Sequence, residues 1–172
     1  MRKDFQENTH DHRWAFASTM ILGEYRTQIL KKKQEVRSAE SYPAEKLFHF
    51  VYESANAHIG GSNYEIKPVS QEKEELVIVE DALIVEGMSF IFPISTAHRI
   101  IDEVYVGSSA GAMTLMITAP SAKINCNLWS HTLEIGDDEE VAVAKFTKEQ
   151  LIKRLEMCLY SLNAGKVVEI LE

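Results

Sequence analysis

Hydrophobic and polar positions divide the chain into a helix-like first third, a strand-rich centre and a helical close. The densest pattern is residues 75–94, ELVIVEDALIVEGMSFIFPI, rich in Val, Ile and Phe. Within it Leu76-Val77-Ile78-Val79 is a continuous apolar run, which suits a strand covered on both faces. Glu80-Asp81-Ala82 predicts a turn between antiparallel neighbours, because Asp tolerates turn geometry and strands usually run about five to six residues. One strand passing straight through is the rival reading. Met88, Phe90 and Phe92 alternate on the opposite parity to Leu83 and Val85, which places a bulge at Gly87. Pro93 cannot donate to a ladder, so it ends that strand or marks an edge.

Residues 13–37 carry Trp14, Ala17, Ile21, Tyr25, Ile29 and Val36 at separations of three, four or seven, the stripe of a helix. Gly23 within it costs about 1 kcal/mol relative to Ala. Lys31-Lys32-Lys33 complements the negative end of the helix dipole. Pro43 suits the first turn of a second helix, with a stripe at Leu47, Phe50, Val51, Ser54, Ala55 and His58 and a stop at Gly60-Gly61. Residues 97–104 predict a helical turn leading into a strand at Val104-Tyr105-Val106. Met113, Leu115 and Ile117 predict a strand closed by Pro120, and Ile124, Cys126 and Leu128 another, with a phase slip before Trp129. Residues 141–146 read as one more strand. Thr147-Lys148-Glu149-Gln150 is a capping box opening a last helix, faced by Leu151, Ile152, Leu155, Cys158, Leu159 and Leu162.

The predicted class is α+β: a mostly antiparallel twisted sheet of about five to seven strands, with two N-terminal helices and one C-terminal helix packed on it. Residues 1–12 are polar and predict a flexible N-terminal tail, leaving residues 13–172 as a single α+β domain. Apolar content of 45% and charged content of 26% suit a soluble globular chain. No apolar run reaches the roughly 18 residues of a membrane span, and the N-terminus lacks the apolar core of a secretory signal. Cys126 and Cys158 have no close spacing and predict core thiols in a reducing compartment, hence a cytoplasmic protein.

Charge alters the picture further. The formal net charge of −8 is uneven: residues 1–50 carry nine basic and seven acidic side chains, residues 51–172 nine and nineteen. Such a surface repels phosphate backbones, which predicts no nucleic-acid partner, and attracts a basic protein. The carboxylates that would bind that partner are Asp137, Asp138, Glu139 and Glu140 in a loop between strands, with Glu72, Glu74 and Glu75 before the central run.

Chemistry is sparse. His10-Asp11-His12 offers three ligand groups, but a loosely attached tail with no further ligand fixed nearby does not make a metal site. Residues 107–111, GSSAG, lack the lysine of a phosphate loop. Cys126 and His131 share one strand segment with opposite parity, which does not suit a nucleophile and its base. No catalytic residue, metal or cofactor is therefore expected. In size, acidity and motif poverty the chain is similar to small acidic antitoxins and toxin-immunity proteins, with no motif to anchor the likeness. That likeness implies a non-enzymatic binding protein whose carboxylates occlude the working surface of a basic partner, such as a toxin or nuclease. Two alternatives come from other classes. One is an acidic secretion-type chaperone that forms a homodimer through its sheet and holds an unfolded segment. The other is an enzyme with a dispersed site drawn from His98, Asp102, Cys126 and His131.

Overall fold

The computed structural model describes residues 8–54, 64–101, 112–133 and 147–149, with residues 152–153, 155–156 and 159–160 of the C-terminal segment. The strands among them are β1 (Thr9–His10), β2 (Phe16–Leu22), β3 (Glu24–Lys32), β4 (Ala44–Ser54), β5 (Tyr64–Val85), β6 (Ser89–Phe92), β7 (Ala97–Ile101), β8 (Met113–Thr118) and β9 (Asn125–Ser130). In the order β1-β7-β3-β5-β4-β9 six of them close into a barrel, while β6-β2-β8 form a separate three-stranded sheet. Every pairing is antiparallel.

This overturns the α+β expectation. No continuous helix of seven or more residues occurs among the described residues, and no helix packs on a sheet. The first expected helix is instead β2 and β3, separated at Gly23, whose φ of +80° lies in the left-handed region that glycine enters freely. Along β2, Phe16, Ser18 and Met20 are buried and Ala17 is exposed, a strand alternation. Along β3, Thr27, Gln28 and Leu30 are all buried because both faces are covered. Cover on both faces blurs the period of two and leaves spacings that imitate a helix. The second expected helix is β4, where Leu47, His49 and Phe50 are buried. In the C-terminal segment the described residues from Lys148 to Tyr160 are helical, yet Ile152, Leu155 and Leu159 of the expected apolar face are exposed.

Within the central run the rival reading holds, because β5 continues through Glu80-Asp81-Ala82. Asp81 lies opposite Gln28 and accepts hydrogen bonds from Arg26 and Gln28, so partners across the ladder keep this polar stretch in the strand. Gly87 marks a turn rather than a bulge, with φ +82°. The register shifts fall instead beside Met20, Ile29 and Phe48. Of residues 8–12, expected in the flexible tail, Thr9 and His10 form a barrel strand and the Asp11 N–H bonds to the Asn127 carbonyl. Thr9 pairs with Trp129, His10 with Leu128 and His98, and both Thr9 and Asp11 are buried. Residues 1–7, the Gly60-Gly61 stop, Asp102, the expected strands at 104–106 and 141–146, the 107–111 loop and Cys158 lie outside the described residues.

Two cores result. Leu30, Leu47, Leu76, Ala97 and Trp129, one from each barrel strand except β1, fill the barrel interior. Met20, Tyr25 and Ile84, with Phe90 and Ile100, form a second core where the three-stranded sheet packs on the outer wall of the barrel. The chain passes between the two layers at Gly23, at Gly87 and at Ser95 (φ +64°). These three crossings turn on a left-handed residue, which reverses the chain within a few positions, whereas those from β1 to β2 and from β8 to β9 use no left-handed residue.

A charge is built into the barrel wall. The buried Arg99 of β7 donates to Gln28 Oε1 at 2.7 and 2.9 Å and to both carboxylate oxygens of Glu45. The Arg99 hydrogen bonds hold the Glu45 carboxyl below its ordinary value, against the opposing pull of its partial burial. The stability this pair supplies is complete above the unfolded carboxyl's pKa of 4.5 and is lost as pH falls through the lowered folded value. Glu45→Gln should therefore flatten the acid limb of the urea midpoint plotted against pH. Glu45→Ala should cost about 3–5 kcal/mol at neutral pH, because Arg99 stays buried without its counter-charge. An acid limb unchanged in Glu45→Gln would refute the pairing.

Candidate functional site

Side chains two apart on an extended chain point to the same side, and the one between them points to the other. His10 and His12 accordingly face the space between barrel and sheet, while Asp11 turns inward. The pairing of β1 with β7 sets His98 directly opposite His10. The three imidazole rings form a triangle with centroids 4.7 Å (His10–His98), 4.9 Å (His10–His12) and 5.0 Å (His12–His98) apart. One nitrogen from each ring lies within 4.8 Å of the other two. Around a zinc ion, with Zn–N of about 2.0–2.1 Å, such atoms stand about 3.4 Å apart.

Hydrogen bonds orient the rings. His98 Nδ1–H donates to the Thr96 carbonyl at 3.0 Å and His10 Nδ1–H to the Asn8 carbonyl at 3.0 Å, so each ring carries its proton on Nδ1. A ligand histidine held through its second nitrogen is the usual support of a metal site. Phe92 stacks on His98 at 4.5 Å, and Phe16 meets His12 edge-on at 5.0 Å. Burial lowers both His12 and His98 to a pKa of about 4, so these rings are uncharged at pH 7 and able to accept a cation. The space they face is a cavity of about 180 Å³, bounded also by Phe90, Ile100 and Met116. Among its described lining residues there is no carboxylate, lysine or arginine.

The inward side of the same segment is polar, and Asp11 is fully engaged there. Asp11 accepts from Lys123 Nζ at 2.7 Å, from the Asn127 backbone N–H at 2.7 Å and from Asn127 Nδ2 at 2.6 Å. Asn127 Oδ1 accepts from His49 Nε2 at 2.9 Å, and His49 Nδ1 lies 3.1 Å from Glu74 Oε1. His49 also stacks on Trp129 at 4.9 Å. This array borders a second cavity of about 280 Å³ at the barrel end.

No protein-family model, curated protein or solved structure matches this chain. The reading of the site accordingly rests on its own geometry.

The residues expected from sequence are placed differently from one another. Glu74 is drawn into the barrel: burial raises its pKa, but hydrogen bonds from Lys32 and Trp129 outweigh this and leave it lowered. Glu75 pairs with Lys33 at 2.9 Å. Glu72 is exposed where β5 leaves its register with β4, over residues 69–72. Asp137, Asp138, Glu139 and Glu140 lie outside the described residues. Of the dispersed enzyme set, His98 joins the histidine triangle. Cys126 is a half-buried free thiol whose pKa burial raises, and His131 is exposed, 3.7 Å from Glu45. The stated ground for rejecting His10-Asp11-His12 does not hold, because His10 is in the barrel strand β1, Asp11 is bonded to β9 just beyond it, and β7 supplies the further ligand. The legible signal was the H-x-H spacing, which puts two imidazoles on one side of any strand.

Folded His12 and His98 take up protons near pH 4, whereas their unfolded counterparts do so near 6.5. Their contribution to stability is therefore full above pH 6.5 and declines as pH falls toward 4. A histidine-selective NMR titration should show two rings with midpoints near pH 4. Six midpoints all clustered near 6.5 would contradict the burial of this triangle.

Proposed function

We propose that this chain is a metal-binding protein that holds one divalent transition-metal ion on His10, His12 and His98. The observation that carries the reading is the convergence of three imidazole nitrogens within 4.8 Å at the edge of an apolar cavity. Imidazole donors select ions of the zinc, copper, iron and nickel group over magnesium or calcium. Three protein ligands leave the ion with an open position, unlike the closed four-ligand sites that serve structure alone. The role assigned is binding rather than catalysis. The cytoplasm suits the free thiol of Cys126, and no helix among the described residues is long and apolar enough to cross a membrane.

Titration of the full chain with Co(II), followed by visible absorption and calorimetry, should reveal one site. Asp11→Asn touches no ligand but loosens the strand that carries two of them, and should weaken binding about 10-fold or more. His98→Ala should weaken it further, and His131→Ala should leave it unchanged. Equal binding by the parent and His98→Ala refutes the assignment.

A second reading keeps the acidic surface as a dock for a basic protein. It draws on the net charge of −8 and on Glu72, which stands exposed on the irregular stretch of β5. Glu74 and Glu75 are already occupied by Lys32 and Lys33, so this reading has fewer free carboxylates than the sequence suggests. Reversing the charge of Glu72 together with Asp137–Glu140 should slow association with a basic partner and flatten its salt dependence. An on-rate indifferent to both would remove this reading.

A further inference from the structure

We infer that the ion's open position is filled by a small aromatic carboxylate, one ring seated among the phenylalanines with its acid group on the metal. This rests on the three-histidine reading and adds the class of ligand. Size is the first argument. An apolar cavity of about 150 Å³ is known to admit benzene, and the space beside the histidines measures about 180 Å³. A single ring with a compact head group fits that volume.

Wall chemistry is the second argument. Phe16, Phe90 and Phe92 offer ring edges and faces, Ile100 and Met116 extend this apolar wall, and Tyr25, Thr27 and Thr114 complete the lining. Such walls reward a flat apolar body. Charge is the third. A divalent ion held by imidazoles alone keeps its full charge, and the described lining residues supply no carboxylate to offset it. In a site of low dielectric an anionic ligand is strongly favoured there.

Ser18 supplies the fourth. It is 3% exposed, lines this cavity, and its Oγ is buried with no hydrogen-bond partner among the described residues. An unsatisfied buried hydroxyl costs free energy that a ligand atom can recover. A carboxylate has two oxygens, one for the ion and one to accept from Ser18 Oγ–H, whereas a phenolate has only one. Entry is open from β8, where Thr114 and Met116 line the cavity and are solvent-exposed.

The test uses the Co(II)-loaded full chain titrated with benzoate and, separately, with acetate. Benzoate should shift the visible Co(II) bands and bind at least tenfold more tightly than acetate, since acetate has the head group without the ring. Ser18→Ala should weaken benzoate about fivefold and leave Co(II) affinity as in the parent, which also shows that the variant folds. Co(II) spectra that ignore benzoate, or equal affinities for the two acids, overturn the inference while leaving the metal site intact. Failure of the parent to bind Co(II) at all overturns the metal reading and this inference with it.

Discussion

Asp11 is held by three donors on Lys123 and Asn127 while only 1% of its side chain meets solvent. A carboxylate so deeply buried is tolerable only with its lone pairs satisfied, so the short segment that carries it, just past β1, has one acceptable orientation. That orientation dictates the next level. With Asp11 turned into the barrel, His10 and His12 have no choice but to face outward, where β7 presents His98. The candidate site is therefore a consequence of a structural hydrogen-bond cluster on the opposite side of the same strand. Position is set on one face and chemistry is displayed on the other.

The barrel wall repeats this division. Strands β3 and β7 are covered on both sides, by the apolar barrel interior on one and by the three-stranded sheet on the other. Arg99 and Gln28 sit on such doubly covered strands, and their polar atoms answer one another rather than water. The space left between wall and sheet is lined by phenylalanines, Ile100 and Met116, with the histidines and the hydroxyl side chains of Ser18, Tyr25, Thr27 and Thr114 as its polar groups. A few polar groups converging on an apolar concavity are what small-ligand sites generally look like. The left-handed turns at Gly23, Gly87 and Ser95 pass the chain between the layers, and that at Ser95 lies between Phe92 and His98, which stack on each other.

Much of the fold was misread for an identifiable reason. Periodicity separates helix from strand when one face is wet and the other dry. In β3 neither face is wet over residues 27–30, and Tyr25 and Ile29 within it, with Ile21 in β2 and Val36 beyond its end, fall by chance at helical separations. Gly23 was visible as a blemish in that helix, but it is the turn that splits it in two. Asp81 looked like a turn residue because its partners Arg26 and Gln28 lie more than fifty positions away. Alternation was readable in β8, which is exposed along most of its length, and there the strand lies where its pattern places it.

For the site, the H-x-H spacing lay in plain view, and its meaning depended on a strand that no local pattern announced. By itself the sequence determined the β-forming richness of residues 75–94, the acid excess of the molecule and the sparing use of cysteine. Composition and neighbouring residues are enough for those properties. Tertiary structure alone decided that the barrel closes, that Glu74 and Glu75 are tied to the chain's own lysines, and that His98 meets His10 across 88 positions. Register between distant strands is a property of the whole ladder, fixed when buried groups such as Asp11 and Arg99 find their partners.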